Sequence, residues 1–319
     1  MPEINDKPAP PQERRNRDIE AFLSLNECLE IEVEFGFREL NRYLQDLALL
    51  SMNVNFSELG ISRRREEKQA KVLLFSEASN SGQEPGTYSF ASWRDLYFKK
   101  EIPPGSIAVL SLTGVMRSES SLSSPGVDSM IEDLRNAYNH SNVAGVIIES
   151  NSGGGESLAG TMLKSAIQER NKPVVGFGHL VASAAYRALS GADELISSSD
   201  YSEFGSIGTM ITLDSQFINE YRARFADFYG AGASGKNYEF RQAIAGNYLP
   251  LQLRVDNLTT KFQEEIKRDR PLRGERSVIA DTVSGKVFDG TESKKRGLVD
   301  GIGTMQYAVK RVRALTKKY

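Results

Sequence analysis

From residue 107 onward, apolar runs alternate with glycine- or serine-rich breaks and amphipathic stretches. Ile107–Leu112, Ala144–Ile148 and Pro173–Phe177 read as buried strands, with Leu195–Ser197 and Ile207–Leu213 as further ones. Between them, Val127–Tyr138, Leu158–Ile167 and the short Ser183–Leu189 read as helices. This alternation predicts an α/β fold with mostly parallel strands. Farther on, Leu251, Val255, Leu258, Phe262 and Ile266 form a helical stripe that Pro271 and Gly274 end. It reads as core or subunit contact.

The first third of the chain has a different rhythm. Residues 1–17 are rich in proline and charge and are expected to form a disordered arm. From Ile19 to Leu50, Phe22, Leu25, Leu29, Leu40, Tyr43, Leu44 and Leu47 mostly follow helical spacing. Ile31, Val33, Phe35 and Phe37 instead alternate with period two, and Gly36 weakens a helix there. Two helices with a break near Gly36, or an intervening strand, both fit. Residues 78–87 are a loop, and Pro103-Pro104-Gly105 marks the expected domain boundary. The predicted organisation is therefore an arm at 1–17, a mainly helical extension at 18–104 and an α/β domain at 105–319.

Composition narrows the function classes. Of 319 residues, 26% are charged and 39% hydrophobic, with a net charge of −2. That balance suits a globular protein and gives no support for nucleic acid or an anionic membrane as partner. The single cysteine, Cys28, excludes an intrachain disulfide. Met1–Lys7 has no apolar core of a secretion signal, and no run approaches the ~18 apolar residues of a membrane span. A cytoplasmic, unanchored protein is expected. No His-x-x-x-His or Cys-x-x-Cys spacing occurs, so neither a metal nor another cofactor is expected.

Three segments carry candidate chemistry. Ser183, in Val181-Ala182-Ser183-Ala184-Ala185-Tyr186, follows an apolar strand and opens a helix of small residues. A sharp turn there exposes a hydroxyl and aims the next backbone N–H at a developing oxyanion. The same serine equally suits a helix cap. Gly153-Gly154-Gly155 follows a strand and permits positive φ and close backbone approach, as an ordinary tight connection also would. The phosphate-loop pattern is absent. Lys236, in Ser234-Gly235-Lys236, has no acid in the five residues before it. A lysine acts as a base only when neutral, a form that burial away from carboxylates favours, and otherwise it is a surface residue. Of the two histidines, His140 suits a helix C-terminus, and His179 stands four residues before Ser183.

Taken together, these segments resemble the signal peptide peptidase A family of Ser–Lys proteases over about residues 105–310. Ile107–Gly114 resembles its first core strand, and Asn151-Ser152-Gly153-Gly154-Gly155 its Asn-Ser-Pro-Gly-Gly turn. Val181–Tyr186 resembles Ala-Ala-Ser-Gly-Gly-Tyr, and Phe204-Gly205-Ser206-Ile207-Gly208 resembles Thr-Gly-Ser-Ile-Gly. Gly285–Gly290 and Gly297–Gly303 resemble the closing Gly-Arg-Val-(aromatic)-x-Gly and Gly-Leu-Val-Asp-x-Ile-Gly. Lys236 follows Ser183 at close to the interval of half-length members. Gly153 replaces a proline, and Ala184 and Ala185 replace glycines. Alanine at a position needing positive φ would cost roughly 1 kcal/mol.

The resemblance implies a Clp protease/crotonase-like spiral of strand–loop–helix units. It implies Ser183 as nucleophile, Lys236 as base, Ser206 as the residue holding the lysine, and the amides of Ala184 and of Gly154 or Gly155 as oxyanion donors. A Clp-type histidine is missing near Gly208, and a crotonase has no use for Ser183, Ser206 and Lys236 together. The resemblance further implies a polypeptide substrate and a homo-oligomer whose nucleophile and lysine meet across a subunit boundary. Among family members, a long extension before the domain is most like phage prohead proteases, which process scaffold and capsid proteins. A cytoplasmic bacterial peptidase, or a catalytically vestigial capsid-assembly or scaffold-binding protein, are the alternatives.

Overall fold

The computed structural model describes residues 102–120, 126–213 and 215–319, together with the backbone of three short strands before them. Those three are β1 (Leu29–Ile31), β2 (Lys71–Phe75) and β3 (Tyr88–Ser92). The predicted arm at 1–17, the expected loop at 78–87 and, apart from the strand Leu29–Ile31, the helices expected within 19–50 lie outside the described residues.

The α/β alternation takes the form of a largely parallel sheet. Strands β4 (Ser106–Thr113), β5 (Val143–Ser152) and β7 (Val174–Ala182) lie side by side and parallel. Beyond β7 come β8 (Glu194–Ser197) and β9 (Glu203–Gly205), both parallel to it. An antiparallel β10 (Val287–Asp289) pairs with β9, and a two-residue β11 (Gly301–Ile302) pairs with β8. On the opposite side, β2 pairs antiparallel with β4 and β3 with β2. The sheet thus continues across the expected boundary at Pro103–Gly105.

The strand sequences read as continuous apolar runs because both faces of the sheet are covered. Alternation sends Ile107 and Val109 to one face and Ala108, Leu110 and Leu112 to the other. The first set, with Ile147, Val175, Phe177 and Ile196, packs on Ala308, Val309 and Val312 of the C-terminal helix Met305–Leu315. The second faces the larger core, formed with α1 (Val127–Asn139), α2 (Ser157–Gln168) and α3 (Ala184–Leu189). Helix α1 contributes Val127, Met130, Ile131 and Leu134, the spacing that its sequence pattern announces.

One predicted strand is replaced. Ile207–Leu213 is not a named strand; the strand lies just before it, at Glu203–Gly205. Ser206 takes φ +53, which turns the chain out of the extended conformation. Ile207 is then buried as an isolated core residue rather than as part of a ladder. The C-terminal stripe does form a helix, α4 (Leu249–Asp269), but only Phe262 and Ile266 of it are buried.

Helix α2 offers a direct contrast between covered and uncovered positions. Leu163 is fully buried whereas Leu158 is 57% exposed. Leu163→Ala is expected to cost about 2–5 kcal/mol of unfolding free energy, and Leu158→Ala no more than about 0.5 kcal/mol. Urea unfolding of the two variants checks the assignment of faces.

Candidate active site

Register alone brings three of the candidate segments abreast. In the β5–β7 ladder Ser152 stands beside Val181, so the Gly153–Gly155 turn emerges next to Ala182 and Ser183. In the β7–β9 ladder Ala182 stands beside Gly205, and the Ser183 N–H donates to the Gly205 carbonyl at 2.9 Å. Ser206 therefore leaves its strand next to Ser183. The site lies at the carboxyl ends of parallel strands, where open α/β sheets generally bind ligands.

Ser183 has φ +56 and ψ −120 and sits at the start of α3, yet its side chain makes no capping hydrogen bond. The helix-cap reading is therefore not what holds this serine here. Such a conformation costs on the order of 1–3 kcal/mol for a residue with a Cβ. Neither Ala184 nor Ala185 lies at positive φ, so the penalty considered for those alanines does not arise. The strain falls on Ser183 itself. Contrary to the expectation of an exposed hydroxyl, Ser183 is only 1% exposed, being flanked by the glycine turn on one side and the end of β9 on the other.

The glycine turn is held by its own motif residues. The Ser152 hydroxyl donates to the Gly114 carbonyl at 2.6 Å and accepts from the Gly154 N–H at 3.2 Å. Gly154 and Gly155 take φ +97 and +158, whereas Gly153, at the family's proline position, is outside the positive region. A Cβ on Gly155 would stand 2.1 Å from the Met116 carbonyl oxygen. Gly154–Glu156 form the short strand β6. Met116 donates to the Gly154 carbonyl at 2.9 Å and accepts from the Glu156 N–H at 3.0 Å. The Glu156 carboxylate also accepts from the Ser118 N–H at 2.6 Å. Nothing in the sequence pattern singles out Met116, because its role is carried by its backbone.

Helix α3 is clamped from several sides. Tyr186 is fully buried and donates to the Leu298 carbonyl at 2.8 Å. Burial pushes its phenol well above the ordinary tyrosine range, so the hydroxyl remains a donor. Asp300 accepts from the Leu195 N–H and from the buried Arg270, each at 2.7 Å. The closing Gly-Leu-Val-Asp segment thus locks α3 and β8 together. Arg187 donates to Ser157 at 2.7 Å, approaches Glu265 at 3.4 Å and lies 4.1 Å over the Phe262 ring. Lys164 pairs with Glu265 at 3.1 Å and Asp269 at 2.5 Å in the same buried group. These contacts were not anticipated, since they join residues far apart in sequence. Gly160 lets α3 approach α2 closely: a Cβ there would stand 2.7 Å from the Ala184 carbonyl oxygen.

Lys236 is not brought to this constellation within one chain. It is exposed, in the turns between the helices Ser215–Arg224 and Tyr238–Ile244, where its N–H donates to the Ala233 carbonyl at 3.0 Å. The histidines are also elsewhere. As expected, His140 caps the C-terminal end of α1, its ring accepting from the Asn142 N–H at 3.2 Å. The His179 ring lies 2.7 Å from the Ser198 hydroxyl and 3.4 Å from Glu149, not on Ser183. Among the described residues, no cluster of metal-ligating side chains is present and no helix is long and apolar enough to cross a membrane.

Residues 166–318 match the model of peptidase family S49. Protease 4 of Haemophilus influenzae is 28% identical over 224 residues, which cover 67% of this chain and 35% of that protein. A Methanocaldococcus jannaschii protein assigned as a protease is 29% identical over 198 residues, covering 59% of this chain and 60% of that one. These matches support the signal peptide peptidase A family. The chain spans less than two thirds of either relative. Solved structures with related traces include a membrane-bound stomatin-specific protease, 12% identical with a TM-score of 0.40 over 66% of this chain and 84% of that one. An enoyl-CoA hydratase/isomerase family protein from Pseudomonas syringae is 16% identical with a TM-score of 0.39, covering 67% and 80%.

If the strain at Ser183 is carried by its Cβ, Ser183→Gly stabilises the protein by about 1 kcal/mol and Ser183→Ala changes it little. A capping serine would instead leave both variants less stable than the parent, glycine by a few tenths and alanine by about 1 kcal/mol. Thermal unfolding of the two variants separates these cases.

Proposed function

We propose that the protein is a serine endopeptidase in which Ser183 attacks a peptide carbonyl and Lys236, supplied by a neighbouring copy, acts as base. The observation that carries this reading is the strained, uncapped Ser183, set by strand register beside a glycine turn and Ser206. A functionless serine has no reason to occupy a conformation that glycine adopts without penalty.

The chemistry follows from the backbone. Ser183 Oγ adds to the carbonyl carbon as the lysine amine takes its proton, and the oxygen becomes an oxyanion. Ala184 is the first residue of α3, so its N–H has no intrahelical acceptor and is available to that oxyanion. The Gly154 N–H already leans on Ser152, which makes Ala184 and Gly155 the better-placed donors. Collapse of the intermediate expels the amine, protonated by the lysine, and water then releases the acyl group from Ser183.

The surroundings of Lys236 favour a partner copy. Its segment and the adjoining start of α4 expose Phe225, Phe228, Tyr248, Leu249 and Leu253, with Phe228 94% exposed. Apolar surface of this kind marks an interaction face. Covering it with a second copy would also remove the lysine from water, which favours a neutral amine. We assign Ser206, half-buried beside Ser183, to holding that amine. The finer setting we propose is the processing of scaffold and capsid proteins in a phage procapsid, on the strength of the extension that precedes the S49-like region.

Ser183→Ala and Lys236→Met should each lower cleavage of a capsid-derived polypeptide by up to about 10⁶-fold, the scale on which a catalytic serine is missed. Mixing the two inactive variants should restore part of the activity, since some interfaces then combine an intact serine with an intact lysine. Activity should also fall on dilution, in step with loss of the oligomer in sedimentation. Full activity in a monomer, or in either single variant, would refute the reading.

A further inference from the structure

The strand that carries the glycine turn has two edges, and both are taken. On one edge Met116 bonds the Gly154 carbonyl and the Glu156 N–H. Successive residues of a strand present their backbone groups to opposite sides. The N–H and carbonyl of Gly155 therefore face the other edge. There the structure places β1, antiparallel, with Leu29 beside Glu156, Glu30 beside Gly155 and Ile31 beside Gly154.

We infer that Leu29–Ile31 is a tethered occupant of the edge on which an extended peptide substrate would pair, so that the chain covers its own cleft. The inference deepens the protease reading and rests on it. Four observations converge. Gly155, a candidate oxyanion donor, is the central residue of the covered strand. The direction of β1 runs from Glu156 toward Gly154, and so toward the turn beside Ser183. Gly154 and Gly155 are buried, so whatever covers their free edge must move before an extended peptide can pair there. Finally, β1 and β6 form a separate two-stranded sheet, outside the nine-stranded one.

A three-residue pairing of this kind is marginal by itself and is favoured by belonging to the same chain. It is strong enough to exclude weak ligands and weak enough to be displaced. The occupant's chemistry also describes the ligand. Leu29, Ile31, Val33 and Phe35 alternate with Glu30, Glu32 and Glu34, a pattern suited to an extended strand. The edge is accordingly one for an extended peptide with apolar side chains at every second position.

The test uses the full chain with Glu30→Pro, which removes the backbone N–H facing Gly155 and disfavours strand pairing. Glu30→Ala, which keeps that N–H, is the control. Amide exchange is read by mass spectrometry at single-residue resolution, and cleavage with an internally quenched extended peptide. In Glu30→Pro the Gly155 amide should exchange at least ten times faster than in the parent, while Glu156, bonded to Met116, is unchanged. KM for the peptide should fall several-fold with kcat little altered, and labelling of Ser183 by a small fluorophosphonate should keep its rate. Glu30→Ala should resemble the parent in every readout. Equal Gly155 exchange in parent and Glu30→Pro overturns the inference, as does faster exchange with an unchanged KM, or an alanine variant that behaves like the proline one. A chain that cleaves nothing in any form removes the protease reading, whereas Gly155 exchange still decides whether residues 29–31 cover this edge.

Discussion

The site depends on one backbone hydrogen bond, from the Ser183 N–H to the Gly205 carbonyl. It is the last rung between β7 and β9 and fixes where both chains stop being strands. At its two ends φ is positive, +56 at Ser183 and +127 at Gly205, and it stays positive at Ser206, +53. The ladder that ends here is continuous with the parallel pairing of β4, β5 and β7, whose apolar residues are buried on both faces. A slip of one residue would exchange the faces of a whole strand. The cost of such a slip, spread over the core, is what holds two serines in register with a glycine turn.

Strain at a single residue persists only where the surroundings leave no alternative. At Ser183 the surroundings are specific. The residue before it ends a buried strand, and the helix after it is held through Tyr186 to the Leu298 carbonyl and through Arg187 to Ser157. Gly160 allows the start of that helix to lie against α2 without a Cβ between them. The buried Lys164 and Arg187, paired with the partly exposed Glu265 and Asp269, add a further tie to α4. Buried ion pairs contribute little net stability against apolar replacements, but losing one partner strands the other. The group therefore acts as a positional lock on α3 rather than as a source of stability.

How much of this was legible in the sequence follows from where the information lies. The long strands and α1 and α2 were readable because burial on one or two faces writes a period into the side chains. The glycine turn was readable because positive φ and close approach restrict residue type, and the serine because it stands between an apolar strand and a run of small residues. Strand β9 was missed because three residues carry no period, and the apolar Ile207–Leu213 nearby offered a more strand-like stretch. Met116 was invisible because only its backbone participates. The clamp residues Tyr186, Arg187 and Asp300 became intelligible only with the partners that folding brings to them. The pairing of Leu29–Ile31 with Gly154–Glu156 lay hidden for the same reason, although the alternation beginning at Ile31 had already left a strand open beside the helical reading.

The exposure of Lys236 and the enclosure of Ser183 are two sides of one constraint. A neutral amine needs a site with little water, and Ser183 already has one, formed by the ends of β5, β7 and β9. The lysine lies on a segment that has no place in that sheet and carries aromatic side chains facing solvent. A single chain thus separates Lys236 from Ser183 while leaving apolar surface uncovered around the lysine. Association would address both at once: burying the aromatic face supplies the driving force, of order 25 cal/mol per Å² of apolar area, and the same burial delivers the amine to a dry cleft. Catalytic competence would then be a property of the assembly, and a lone chain would hold a strained serine with nothing to deprotonate it.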